Sequence, residues 1–259
     1  MRKLQYYGMA TFSLAVFLLI WQTAAFSKLV ELPAPWETAK TFFDLVVRGD
    51  PFYEKTLQEL TLASLKMVLA GCCLSLLVGL PLGILMGSWP KLEIFANTVL
   101  EMLRPIPPLA WIPLGYVLFA RMEAPTFWVQ LLIVFVGSFF PILLSTVEGV
   151  KNVEKIYLDV ARSCGAPQRD ILFKVRLPAA APLIITGVRV GLGVGWMSII
   201  AAEFVGGKTG IGYYIWSVYN IGGRTAEIIS GMIAIGLVSF LLNKSVLFLE
   251  KRLTPWRFC

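Results

Sequence analysis

The sequence contains no histidine, and charged residues make up only 15% of its 259 positions. A soluble domain of this length would carry roughly 25% charged residues and 45–50% apolar ones. Here 57% of the residues are hydrophobic and the mean hydropathy is +0.74. A large soluble core would not account for so little charge. The composition therefore predicts a protein whose surface is solvated largely by lipid.

The missing histidine removes the commonest general base and the commonest imidazole metal ligand. The four cysteines form neither a C-x-x-C pair nor any spacing suited to a metal ion. They are Cys72, Cys73, Cys164 and Cys259. There is also no nucleophile elbow. We therefore expect no catalytic site, no metal and no cofactor in this chain.

Long apolar runs are what the sequence has in abundance, and a membrane-spanning helix needs about 20 such residues. Five segments qualify: 9–26, 67–87, 126–147, 183–202 and 228–248. A sixth, 94–120, holds Glu101, Arg104 and four prolines, which predicts a span with a kinked or unwound start. Irregular backbone at membrane depth is tolerated only against protein or a water-filled cavity, so this segment should face the interior. The expected fold is an all-α integral membrane protein, a single transmembrane domain over 1–259.

The distribution of lysine and arginine predicts the orientation of the spans. With the N-terminus inside, the inside loops hold twelve of these residues and the outside loops seven, and the 27–60 loop adds six acidic residues. This bias favours both termini in the cytoplasm. The first segment resembles a signal peptide in its basic start, but its apolar run exceeds the usual 7–15 residues, so we favour an uncleaved span.

Small residues recur every four positions in two of the spans. The stripes are Gly79, Gly83 and Gly87, and then Gly187, Gly191 and Gly195. Such stripes let membrane helices approach closely. Packing within one subunit is the favoured interpretation, with a contact between two copies as the alternative.

The longest inside loop, 148–182, carries a helical repeat of apolar residues. The stripe consists of Val153, Ile156, Tyr157, Val160, Ala161 and Cys164. Gly165 and Pro167 should end that helix. A second short helix is expected from about 168 to 175, before Leu177-Pro178 turns the chain toward the membrane. Such an element would lie at the lipid headgroups or insert into a groove on a partner protein.

The spacing within this loop resembles the E-A-A…G…I-x-L-P signature of permease subunits of binding-protein-dependent ABC importers. Asp159 stands where that signature has Glu, and Val175 where it has Ile. The resemblance implies that this loop, hereafter the coupling loop, forms a coupling helix seated in a cleft of a cytoplasmic ATPase. It assigns coupling roles to Asp159, Ala161, Gly165, Val175, Leu177 and Pro178.

Three further stretches resemble the taurine, sulfonate, nitrate and bicarbonate branch of that family: 104–113, 187–203 and 252–256. The resemblance covers roughly residues 50–256. It implies a type I importer permease in a prokaryotic inner membrane that moves a small anionic solute. The implied partners are a second copy of the chain, two ATP-binding subunits that hold ATP and Mg²⁺, and an external binding protein.

Charged residues inside spans are functional hypotheses by default. The candidates for lining the translocation pathway are Arg104, Pro107, Trp111, Arg189 and Glu203. Arg189 and Glu203 lie about 21 Å apart along one helix, so they do not pair with each other. Structural pairing with another span, to Glu101 or Arg104, stays open for both. The alternative function is an ATPase-independent secondary transporter or channel, which often shows internal repeats that are not evident here.

Overall fold

The computed structural model describes residues 2–27 and 31–255, without the side chains of 2–7 and 10. Lys28, Trp256, Arg257 and Cys259, used in the sequence interpretation, lie outside this part of the chain. Within it every regular element is helical, which confirms the all-α prediction. One isolated bridge joins Asp50 to Lys55 in a loop.

Eleven α-helices, one 3₁₀ turn and one π-helical turn follow one another along the described chain. They are α1 (Arg2–Phe26), α2 (Pro35–Val47), α3 (Leu57–Ser88), α4 (Pro90–Leu103), the 3₁₀ turn (Pro108–Trp111), α5 (Ile112–Leu118), α6 (Pro125–Lys151), α7 (Lys155–Ser163), α8 (Gln168–Asp170), the π turn (Ile171–Arg176), α9 (Leu177–Gly206), α10 (Ile211–Ile221) and α11 (Thr225–Leu253).

Four helical runs in the described residues are long and apolar enough to cross a membrane: α3, α6, the continuous run Gln168–Gly206, and α11. Two shorter apolar helices, Thr11–Phe26 and Pro108–Leu118, lie in the first and third of the six predicted spans. The 94–120 segment is divided into α4, the 3₁₀ turn and α5. Its break falls at the Pro-rich stretch that follows Arg104, because proline lacks an N–H and bars its preceding residue from helical geometry.

Helix α6 packs between α3 and α9. The 79–87 stripe on α3 forms one contact with α6, and the 187–195 stripe on α9 forms the other. A methyl group at Gly83 would lie 2.7 Å from Thr146 Cβ on α6, and one at Gly187 would lie 2.5 Å from Ser145 Cβ. The Ser138 hydroxyl, on α6, donates a hydrogen bond of 3.0 Å to the Gly191 carbonyl. The stripes therefore pack helices of one chain together, which confirms the favoured interpretation.

The predicted turn at Leu177-Pro178 is wrong. The backbone stays helical from Gln168 to Gly206 through the π turn. Inside a continuous helix, a proline removes one backbone hydrogen bond and its ring crowds the preceding turn. The wider π turn just before Pro178 takes up the local mismatch, so the coupling loop runs directly into α9.

Candidate functional site

A small apolar cluster beneath α7 joins the two halves of the coupling loop to each other. Leu158 on α7 packs with Val153 and Ile171, all three buried. Ala161 and Val175 lie partly buried against this cluster. The loop is therefore a folded element of the chain.

The other side of α7 is apolar and uncovered. Ile156, Tyr157 and Val160 are 63%, 54% and 59% exposed. The single apolar stripe predicted from the sequence is thus divided, since Val153 and Ala161 contact the inner cluster instead. The reason is that Leu158, which lies off the predicted stripe, forms the main inward contact. Exposed apolar side chains in a row are typical of a surface that another molecule covers.

Gly165 ends α7 in the left-handed conformation, with φ at +77°. Its N–H donates to the Arg162 carbonyl at 2.9 Å, and the Ala166 N–H donates to the Ala161 carbonyl at 3.0 Å. This is the bond pattern of a glycine-terminated helix. A methyl group at Gly165 would meet nothing within 4 Å, so the space in front of it is open.

The other coupling candidates divide between the surface and the inner cluster. Asp159 is exposed and pairs with Arg162 at 3.1 Å. Val175 faces the inner cluster. Leu177 and Pro178 form the first turn of α9. Asp159 and Gly165 are therefore the exposed candidates on and beside α7, and Pro178 is a third exposed candidate at the start of α9.

Of the pathway candidates, Arg104 lines a cavity of about 430 Å³. Its walls come from the broken segment, from α6 and from α9, and they include Ser145 and Glu148. Pro107 precedes the 3₁₀ turn and Trp111 ends it, so both lie on the same broken segment. The unwound backbone therefore borders a cavity, as expected for irregular structure at membrane depth.

Arg189 lies on a different cavity, of about 470 Å³, between α9 and α11. Ser239 and Asn243 contribute polar groups to it. Arg104 and Arg189 therefore border two separate cavities.

Glu203 is 2% exposed and enclosed by hydrogen bonds. The Ser64 hydroxyl donates to Glu203 Oε1 at 2.6 Å, and the Gly212 N–H donates to Oε2 at 2.8 Å. The Ile211 N–H in turn donates to Ser64 Oγ at 3.0 Å. A side chain at Gly210 would overlap the Glu203 carboxylate, and its φ of +108° also requires glycine. This geometry favours structural pairing over pathway lining, with partners other than Glu101 and Arg104.

A second polar cluster near Glu203 was not anticipated from the sequence. Asp50 accepts hydrogen bonds from the Tyr214 hydroxyl and from the Phe52 N–H, both at 2.9 Å. It also forms an ion pair with Arg224. Arg224 also pairs with Glu227 at 3.1 Å. Burial alone would raise the pKa of Asp50, but the hydrogen bonds from Arg224, Phe52 and Tyr214 outweigh it, so that pKa lies below its ordinary value. The partners are 164 and 174 positions apart, and no local pattern signals such a contact.

Comparison with known families matches residues 79–258 to the "Binding-protein-dependent transport system inner membrane component" family. The match covers more than half of the chain. The chain belongs to this family. It is therefore the membrane-embedded permease subunit of a binding-protein-dependent importer, as the resemblance in the coupling loop implied.

Named permeases resemble most of the chain. The bicarbonate transport system permease protein CmpB of Synechocystis is 36% identical, over 94% of this chain and 88% of that protein. The taurine transport system permease protein TauC of Escherichia coli is 34% identical, with the same coverage. A putative ABC transporter permease protein of Methanocaldococcus jannaschii is 41% identical, over 76% of this chain and 72% of that protein.

A solved structure shares the permease fold. A chain of the MetNI methionine ABC transporter, in an inward-facing conformation, matches with a TM-score of 0.64. The match covers 74% of this chain and 93% of that chain, at 18% sequence identity. At this identity the likeness establishes the fold, which confirms the predicted importer permease architecture.

Proposed function

We propose that the chain forms the membrane path of an ATP-driven importer and that its coupling loop docks into a cytoplasmic ATPase. The observation that carries this proposal is the outer side of α7, where Ile156, Tyr157 and Val160 are exposed beside the open space at Gly165. A short helix with an apolar face suits insertion into a groove on a partner. Asp159 and Arg162 supply charge at the rim of this surface.

The assembly consists of two copies of the chain, two ATP-binding subunits that carry ATP and Mg²⁺, and an external binding protein. Both termini and the coupling loop lie in the cytoplasm. The excess of lysine and arginine in the predicted inside loops supports this orientation. ATP hydrolysis belongs to the partner subunits, and this chain supplies alternating access for the solute.

The substrate is a small solute with an anionic head. The similar permeases CmpB, TauC and the nitrate import permease protein NrtB of Synechocystis are named for bicarbonate, taurine and nitrate. Their shared feature is an oxyanion or a sulfonate group. Arg104, at the edge of the 430 Å³ cavity, offers a planar guanidinium suited to such groups. Pro107 and Trp111 shape the same segment, and Arg189 and Glu203 stay as weaker candidates for the path.

Reconstitution of the chain with and without its ATPase tests the coupling. Uptake of the bound solute into proteoliposomes should require ATP hydrolysis by the attached subunits. Uptake driven by an ion gradient through the chain alone would make it a secondary transporter and contradict the proposal. Reversing the charge with Asp159→Lys should lower ATPase attachment or coupled uptake while membrane insertion stays normal.

Arginine substitutions test the path. Bicarbonate, nitrate and taurine serve as trial substrates. Arg104→Gln should raise the KM for the transported anion about tenfold, and Arg104→Lys, which keeps the charge, should raise it less. Arg189→Gln serves as the comparison, because that arginine borders the other cavity. A larger loss with Arg189→Gln than with Arg104→Gln would move the path to the cavity between α9 and α11.

A further inference from the structure

Three arginines line a cavity of about 440 Å³ between the α3–α4 turn and the coupling loop. They are Arg162 on α7, Arg169 on α8 and Arg176 at the end of the π turn. Ser88 and Trp89 form the opposite wall, and the described lining contains no carboxylate. Three guanidinium groups around one cavity favour an anionic occupant.

Two buried polar groups of this cavity lack the partners that buried groups ordinarily have. Arg176 Nε and Ser88 Oγ are both buried, and neither has a hydrogen-bond partner within residues 2–27 and 31–255. Among the described carboxylates, none forms an ion pair with Arg169 or Arg176. Arg162 keeps its pair with Asp159 on the helix surface. The cavity therefore offers donors in need of an acceptor.

An apolar groove adjoins the cavity at Trp89. It is lined by Trp89, Pro90, Lys91, Leu92 and Phe95, and Phe95 is 80% exposed. Trp89 thus separates a cationic cavity from an apolar surface. Tryptophan is enriched at the membrane interface, where one side of the side chain meets headgroups and the other meets acyl chains. A soluble anion would use the cavity and leave the groove empty, whereas a phospholipid would use both.

We propose that this cavity binds the phosphate of an anionic phospholipid, whose acyl chain lies in the groove beyond Trp89. Basic pockets between membrane helices on the cytoplasmic side bind such headgroups. The lipid would join the coupling loop, through Arg162, Arg169 and Arg176, to the α3–α4 turn at Ser88. This inference relies on the proposed function only for placing the coupling loop at the cytoplasmic membrane surface. Its binding test needs no ATPase, so the two proposals fail separately.

Lipid binding to the full-length purified chain, titrated with phosphatidylglycerol in zwitterionic micelles and followed by native mass spectrometry, tests the site. Arg169→Gln and Arg176→Gln should each lower the affinity for the most tightly bound lipid about fivefold. Arg176→Lys, which keeps the charge, should retain most of the binding and shows that the loss is not misfolding. Arg252→Gln is the control, because Arg252 lies on α11 over Phe248, away from this cavity.

Several results would overturn the proposal. Equal weakening by Arg252→Gln would mean that only general surface charge attracts the lipid. Inorganic phosphate that displaces phosphatidylglycerol at equal concentration would mean that the acyl chain contributes nothing. Unchanged lipid binding together with lost ATPase attachment in the Arg169 and Arg176 variants would mean that an acidic group of the ATPase occupies the cavity.

Discussion

The two ends of α3 differ in how their buried polar groups are satisfied. Near its start, the Glu203 carboxylate accepts hydrogen bonds from Ser64 and the Gly212 N–H. At its end, the buried atoms Ser88 Oγ and Arg176 Nε have no hydrogen-bond partner in the described chain. Ser64 and Ser88 are both on α3, about 36 Å apart along its axis, close to the thickness of a bilayer with part of its headgroups. We refer to the cluster of Asp50, Ser64, Glu203, Gly212, Tyr214 and Arg224 as the closed end. The open end consists of 155–176 with Ser88 and Trp89.

The difference shows which end the chain completes by itself. At the closed end, most buried polar groups have partners from distant parts of the same chain, as is usual for a finished interior. At the open end, apolar side chains are exposed, Arg169 and Arg176 have no ion pair among the described residues, and Gly165 faces empty space. A permease that works with a separate ATPase needs such an unfinished surface where that subunit attaches.

The largest effect is expected at Glu203. Glu203→Ala leaves Ser64 and the Gly212 N–H without their acceptor, which should lower the free energy of unfolding by about 3 kcal/mol. Denaturant unfolding in mixed micelles measures it. Glu101→Ala is the control, because Glu101 is exposed and bonds only Asn97 among the described residues. Normal stability with lost uptake would instead place Glu203 in the pathway.

The next effect concerns the close packing of α9 on α6. Gly187→Ala should cost about 2 kcal/mol, because the added methyl group meets Ser145 and the Pro141 carbonyl. Gly193→Ala, on the same helix, meets nothing within 4 Å and should be neutral or slightly stabilising. Thermal unfolding of both variants checks this. Equal destabilisation would mean that Gly193 is covered by a second copy of the chain.

A smaller, pH-dependent effect is expected at Asp50. Its folded pKa lies below the ordinary value of 3.8, so the ionised carboxylate stabilises the fold above that value and the stabilisation is lost as the pH falls through the folded pKa. The melting temperature should therefore drop on acidification below about pH 4. Asp50→Asn should be less stable at neutral pH and show a flatter acid profile. Asp44→Asn, which removes an exposed pair with Arg48, should keep the wild-type profile.

The smallest effect on stability is expected on the outer side of α7. Val160→Ser should change the free energy of unfolding by less than about 0.5 kcal/mol, as exposed positions do. The same change should reduce ATPase attachment, because it removes apolar surface from the docking helix. Val47→Ser is a matched control, since Val47 is also 59% exposed but lies on α2. If both variants attach the ATPase normally, α7 is not part of the interface.

The sequence predicted the elements that depend on local or periodic signals. Long apolar runs predicted the main helices, glycine stripes predicted close packing of α3 and α9 within one subunit, and Gly165 marked the end of α7. The break after Arg104 was predicted as well, because proline acts on its immediate neighbours.

Other features depend on contacts between distant residues. Ser64 and Glu203 are 139 positions apart, and a serine inside an apolar run has no pattern that names its partner. The division of the α7 stripe depends on Leu158 meeting Ile171, a tertiary contact that helical periodicity does not contain. The continuity of the helix through Pro178 depends on a π turn, which the sequence did not signal.

The most direct measurement of the docking role is ATPase attachment and coupled uptake in Gly165→Asn. Asparagine tolerates the left-handed conformation, so the end of α7 is kept while bulk is added in the open space. Attachment or coupled uptake should fall about tenfold, with normal membrane insertion. Gly222→Asn is the control, because Gly222 also has a positive φ of +79° and open space, and it follows α10 near the closed end. Wild-type attachment and uptake in Gly165→Asn would contradict a docking role for the open end.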